Sequence, residues 1–173
     1  MALNSHNVPG CKYRMWNTYN VPANHDPDHI LRWCAHVAGE VTGGLKALVI
    51  NCHGFYGDDW WKGGTGGFGL DIGTGIGRAD TERFAVLRGK VEEIWITACG
   101  AARISIPGTA GDGDGNLFCC EIAKASGAYV MASPQLQMRA LWVPKNCIDS
   151  YEGQVLRYSP SGGMQPMIMM LEA

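Results

Sequence analysis

Two short apolar runs constrain the fold of this chain more than any other feature: Leu45-Lys46-Ala47-Leu48-Val49-Ile50-Asn51 and Glu92-Glu93-Ile94-Trp95-Ile96-Thr97-Ala98. Each is too short for a typical helix, and neither alternates strictly between apolar and polar residues. Such a run fits a strand buried on both faces, the pattern of a parallel sheet. A third run, Ala128-Tyr129-Val130-Met131-Ala132, ends at Ser133-Pro134. Segments with helical signals separate them. Asp26-Pro27-Asp28 supplies a helix start, and Ile30, Leu31, Cys34, Val37, Ala38 and Val41 then recur at helical spacing until Gly43-Gly44 stops it. Further helices are predicted over 80–87 and near 116–126. Helix and strand in alternation predict an α/β fold: a three-layer sandwich with a mostly parallel central sheet and helices on both faces.

The 173 residues suit a single domain covering 1–173. Residues 1–25, rich in Asn, Pro and Tyr, read as an irregular lead-in with one short strand around 13–16. Within 135–173, the stretches 154–158 and 167–171 around Ser161-Gly162-Gly163 read as a C-terminal hairpin. Fourteen basic and sixteen acidic side chains give a net charge of −2 with no basic stripe, which argues against nucleic acid as a partner. No segment approaches the roughly 18 apolar residues of a membrane span. The N-terminal residues lack the apolar core of a secretory signal. Seven scattered cysteines, an odd number with no C-x-x-C pair, read as reduced thiols. A cytoplasmic, reducing location is expected, with delivery into another cell by a route that needs no signal peptide left open.

Open parallel sheets place reactive groups just beyond the carboxyl ends of their strands. His53 follows the first run in Asn51-Cys52-His53-Gly54, and Cys99 follows the second in Thr97-Ala98-Cys99-Gly100. If those strands are neighbours, about 5 Å apart, both side chains emerge at one edge. A thiol needs a nearby base to become a nucleophilic thiolate near neutral pH. Gly54 lets its backbone N–H approach a substrate carbonyl, and the Cys99 amide offers a second donor. Together they would form an oxyanion hole.

This arrangement resembles the caspase-like cysteine peptidases. The likeness rests on the run ending in His53-Gly54 and the run ending in Ala98-Cys99-Gly100, with the His 46 positions before the Cys. The caspase motif Q-A-C-[RQG]-G is matched at Ala98, Cys99 and Gly100 and departs at Thr97 and Ala101. The resemblance spans about half of the chain. It implies a cysteine endopeptidase acting through an acyl-enzyme, with Cys99 as nucleophile, His53 as general base and acid, the amides of Gly54 and Cys99 as oxyanion hole, and no obligatory third acid. It also implies that Thr97 and residues 133–137, including Ser133 and Gln135, shape the primary specificity pocket. Trp60, in the glycine-rich stretch 57–77 read as a flap beside His53, is a further candidate substrate contact. The implied partner is a protein or peptide substrate, with no cofactor and no metal; oligomeric state and the preferred P1 residue stay open. A stand-alone effector or toxin fits the small size.

Two other readings stay open: an amidase or transpeptidase acting on a non-protein amide, and a caspase-like binding domain without turnover. Other motifs carry less. Gly64-Thr65-Gly66-Gly67-Phe68-Gly69 satisfies G-x-G-x-x-G but neither follows a strand nor opens a helix. Asp112-Gly113-Asp114-Gly115-Asn116 begins like a calcium loop, yet Leu117 and Ala123 stand where Gly and Glu are needed. Asp114 or Asn116 is then expected to cap the following helix. His25, His29 and His36 are not expected to form a metal site, and Cys52 is expected to point away from His53.

Overall fold

A computed structural model describes residues 1–8, 12–55, 69–103, 114–135, 137, 143–148 and 151–167. Nine strands are formed among them: β1 (Ala2–Ser5), β2 (Thr18–Val21), β3 (Leu45–Asn51), β4 (His53–Phe55), β5 (Gly69–Asp71), β6 (Val91–Ile96), β7 (Tyr129–Ala132), β8 (Val155–Tyr158) and β9 (Met164–Met167). Two α-helices, α1 (Pro27–Gly39) and α2 (Gly115–Ser126), and a 3₁₀ helix (Arg78–Leu87) complete the set. Seven strands form one sheet in the order β2-β1-β3-β6-β7-β8-β9. The five from β2 to β7 run parallel, and β8 and β9 add an antiparallel edge. β4 and β5 form a separate antiparallel hairpin.

The helices begin and end where local chemistry directs. Asp26 caps α1 by accepting from the His29 amide at 2.7 Å, with Pro27 in the first turn where its missing N–H costs nothing. Asp114 caps α2 by accepting from the Leu117 amide at 3.1 Å, and Gly127 ends it with φ 70°. In the 3₁₀ helix the buried residues Thr81, Phe84 and Leu87 recur every third position, so a helix of three residues per turn presents them as one stripe.

The strand order decides which face each connection covers. The chain moves one way from β1 to β2, then reverses and steps steadily from β2 to β3, β6 and β7. Right-handed crossovers therefore put the β1–β2 connection on one face and the later connections on the other. The side chains agree. Leu3, Leu48, Ile50, Ile94 and Ile96 join Ile30, Leu31, Cys34, Phe84, Leu87, Phe118 and Ile122 of the helices in one core. The alternate residues Ala2 and Val49, with Trp95, pack against Tyr13, Met15, Val143 and Ile148 on the other side. So the expected helices on both faces take another form among the described residues: one helical layer, the sheet, and a layer of irregular chain.

Two expectations need correction. The lead-in 1–25 contains β1 and β2, not a strand at 13–16. In the C-terminal hairpin, β9 (Met164–Met167) begins three residues earlier than the stretch 167–171 that was expected to form it.

Candidate active site at the carboxyl edge of the sheet

The chain reverses direction between β1 and β3, and in open α/β sheets such a switch point opens a crevice at the carboxyl ends of the strands. The floor of this edge is a buried polar chain. Asn51 Nδ2 donates to Asn4 Oδ1 at 2.9 Å, and Asn4 exchanges hydrogen bonds with the Tyr13 backbone at 2.9 and 3.0 Å. Thr97 Oγ1 contacts Asn51 Oδ1 and the Ile50 carbonyl, both at 3.3 Å. Three strand ends are thus tied by groups that would each cost about 1–3 kcal/mol if left unpaired. Thr97, a predicted specificity residue, serves in this floor.

His53 and Cys99 leave the sheet above it. β3 and β6 pair in parallel register as far as Ile50 and Ile96, and the Thr97 amide donates to the Ile50 carbonyl at 3.0 Å. His53 and Cys99 each follow three residues after that pair in sequence, His53 at the start of β4 and Cys99 in the turn that follows β6. Both are partly exposed. His53 Nε2 donates to the Asn7 carbonyl at 3.3 Å, across the switch point. Cys99 Sγ donates to the Gln137 carbonyl at 3.4 Å, so thiol and imidazole do not bond to each other in this state.

Asn7 and Asp71 were not found by reading the sequence. Asp71 lies directly opposite His53 in the β4–β5 hairpin, which sets the two side chains on one face. The Asn7 side chain joins the two sides, donating from Nδ2 to Asp71 Oδ2 at 2.9 Å and accepting from Ser5 Oγ at 2.8 Å. No local signal marks Asp71; only the pairing of β4 with β5 brings it to His53.

The two predicted oxyanion donors are placed by backbone geometry. Leu70 uses both its amide and its carbonyl on Ile76, at 2.8 and 3.0 Å. In an antiparallel pair the bonding residues alternate, so His53 and Phe55 face β5 and the Gly54 amide points away from it. At Cys99 the chain turns: Gly100 has φ 63° and donates to the Gln135 carbonyl at 2.8 Å, and Ala102 donates to the Ser133 carbonyl at 3.0 Å. Among the described residues the Cys99 amide has no hydrogen-bond partner.

The segment that follows β7 borders Cys99 as expected, though its members differ. Ser133 is fully buried, accepting from the Gln135 amide at 3.1 Å and donating to the Glu152 carbonyl at 3.0 Å, so its hydroxyl fixes the segment. Gln135 is exposed, and its side chain lies over Gly153. Trp60, with the rest of 56–68, lies outside the described residues, as does most of the loop 108–115.

The other cysteines separate by environment. Cys52 is buried among the core residues on the helical side, away from partly exposed His53. Burial pushes the Cys34 thiol up to about 12 and raises Cys119, whose Sγ donates to the Ala101 carbonyl at 3.1 Å. His25 and His29 stack with ring centroids 4.3 Å apart, and His36 packs on Trp33 at 5.7 Å. No group of three or more metal-ligating side chains occurs among the described residues.

Fold and site together define an α/β chain with a thiol and an imidazole at the carboxyl ends of adjacent parallel strands. No protein-family model, curated protein or solved structure was found to match it. No helix among the described residues is long and apolar enough to cross a membrane.

Proposed function

We propose that the chain is a cysteine endopeptidase of caspase-like fold, using Cys99 and His53 on protein or peptide substrates in a reducing compartment. The observation that supports this most is the pairing of β3 with β6: the two strands are parallel neighbours in register at Ile50 and Ile96, and His53 and Cys99 each follow three residues later in the chain. With Nε2–H engaged by the Asn7 carbonyl, Nδ1 is the nitrogen left to act as base.

In this mechanism His53 Nδ1 takes the Cys99 proton, and the thiolate forms an Sγ–C bond to the substrate carbonyl. The carbonyl oxygen becomes an oxyanion held by the amides of Gly54 and Cys99. Such donors are typically worth about 3–4 kcal/mol each. The C–N bond breaks, and the imidazolium gives its proton to the departing amine, leaving a thioester on Cys99. Water, deprotonated by His53, then attacks the thioester; the acid leaves and the thiol is restored.

Intact-mass spectrometry after treatment with acyloxymethyl ketones of varied P1 side chain tests the reading. The expected result is one adduct on Cys99, absent in Cys99→Ala and slowed about 10²-fold in His53→Ala. Labelling of Cys120 or Cys147 at an equal rate, or of Cys99 without dependence on His53, would overturn it.

A further inference from the structure

At the opposite end of the sheet from Cys99, the amino end of β7 and the β8–β9 turn enclose a small polar cavity of about 200 Å³. It is lined by Tyr129, Arg157, Ser159, Ser161, Gly163 and Gln165. The placement follows from register. Arg157 pairs with Gln165 across the hairpin, and Val130 pairs with Tyr158, which brings Tyr129 beside Ser159. Tyr158 and Val130 point into the helical core, so Arg157, Ser159 and Tyr129 share the other face.

We propose that this cavity binds a phosphate group. Three observations converge on an anion. First, the Arg157 guanidinium sits over the Tyr129 ring, its Cζ 3.5 Å from the ring centroid, and has no carboxylate partner among the described residues. Contact with the ring face holds the guanidinium in place and leaves N–H groups for an oxyanion.

Second, the turn leaves a hydroxyl donor unused. The Gly163 amide donates to Ser159 Oγ at 2.9 Å, and Ser159 Oγ lies 2.9 Å from Ser161 Oγ. Whichever hydroxyl donates in the Ser159–Ser161 bond, the hydrogen of the other is left as an unused donor. Third, the lining holds no acid. The nearest carboxylate by register is Glu93, the partner of Tyr129 on β6, and it accepts from Trp95 Nε1 at 3.0 Å. A rim of guanidinium and hydroxyl groups with the Gln165 carboxamide, and without a carboxylate, matches the three oxygens of a phosphate, which a guanidinium can engage in two parallel hydrogen bonds.

The site is remote from Cys99 and does not rest on the peptidase reading. The test titrates inorganic phosphate, and separately a phosphoserine dipeptide, into the full chain at constant ionic strength while backbone amide NMR shifts are followed. Saturable shifts centred on Ser161, Gly163 and Arg157 are expected. Saturation by phosphate alone marks a free-ion site; saturation by both marks one open to phosphorylated chains. Arg157→Gln should weaken binding at least about tenfold, and Arg157→Lys, which keeps the charge without the planar fork, should fall between. Both variants are compared with wild type by their melting in chloride. Folded Arg157→Gln with unchanged phosphate shifts, or wild-type shifts scattered over surface lysines without saturation, would overturn the proposal.

Discussion

At the scale of single residues, the site depends on how an imidazole is held. The only side-chain hydrogen bond of His53 among the described residues is to a backbone carbonyl, that of Asn7, which sits in an exposed turn after β1. A carbonyl in a turn can drift, and the Asn7 side chain prevents this by joining Ser5 to Asp71. Asp71 in turn is fixed opposite His53 by the hairpin. Asp71 thus acts, through the Asn7 side chain, on the residue whose carbonyl holds the His53 imidazole. Asn7→Ala keeps the carbonyl and removes both anchors. Losing about one hydrogen bond's worth of orientation, near 1.4 kcal/mol, should lower the rate of Cys99 acylation about tenfold. On the proposed reading the loss falls on kcat and leaves KM unchanged. Equal kcat in Asn7→Ala and wild type would show that the carbonyl needs no anchor.

At the scale of elements, the hairpin that carries Asp71 is seated by a close backbone approach. After β5 the chain passes Gly73, with φ +59°, and Thr74 donates to the His25 carbonyl at 2.9 Å. A Cβ on Gly73 would stand 2.0 Å from that carbonyl oxygen. Gly73→Ala therefore forces a left-handed alanine and moves the loop off the start of α1, costing about 1–3 kcal/mol. For a chain of this size that lowers Tm by roughly 2–4 °C per kcal/mol. Gly39→Ala, at the end of α1 with open space around it, is the control and should be neutral or stabilising by about 0.5–1 kcal/mol. If both variants melt alike in thermal unfolding, Gly73 is not the seat of the hairpin.

The same elements explain what could be read in advance. β3 and β6 are recognisable because their carboxyl-end halves are apolar runs with residues buried on both faces, the charged Lys46, Glu92 and Glu93 lying near the amino ends, and α1 because its cap and its periodicity coincide. Placing His53 and Cys99 needed only those strand ends. β1 was invisible because Asn4 and Ser5 are polar yet buried; their hydrogen bonds to Tyr13, Asn51 and Asn7 exist only after folding. β2 is an edge strand with exposed Thr18 and Asn20, so it lacks an apolar signature. Asp71 and Asn7 became site residues through pairings that span tens of positions, which local patterns do not encode. Ser133 looked like a pocket residue from its place after β7, but the Glu152 carbonyl that accepts its proton lies in a distant segment.

At the scale of the whole molecule, the helical layer and the sheet share one core, and that core contains acids held neutral. Cys34 of α1 and Cys119 of α2 both belong to it. Burial raises Cys34 to about 12 and raises Cys119 as well. In the unfolded chain both thiols ionise near 8.5. A group raised on folding gives stability that is fully present below its unfolded value and is lost as pH climbs towards its folded value. The loss therefore begins at about pH 8.5 and continues towards 12. Within this window each thiol contributes a slope of up to about 1.4 kcal/mol per pH unit. Denaturant unfolding measured from pH 7 to 10 should show a plateau followed by a steady fall. Cys34→Ala lowers the plateau by leaving a cavity, but its distinguishing effect is on the slope above pH 9, which should become shallower. The slope isolates titration from packing, because a cavity shifts stability equally at every pH. An alkaline slope unchanged in Cys34→Ala would mean that the buried thiols do not set the upper pH limit of the fold.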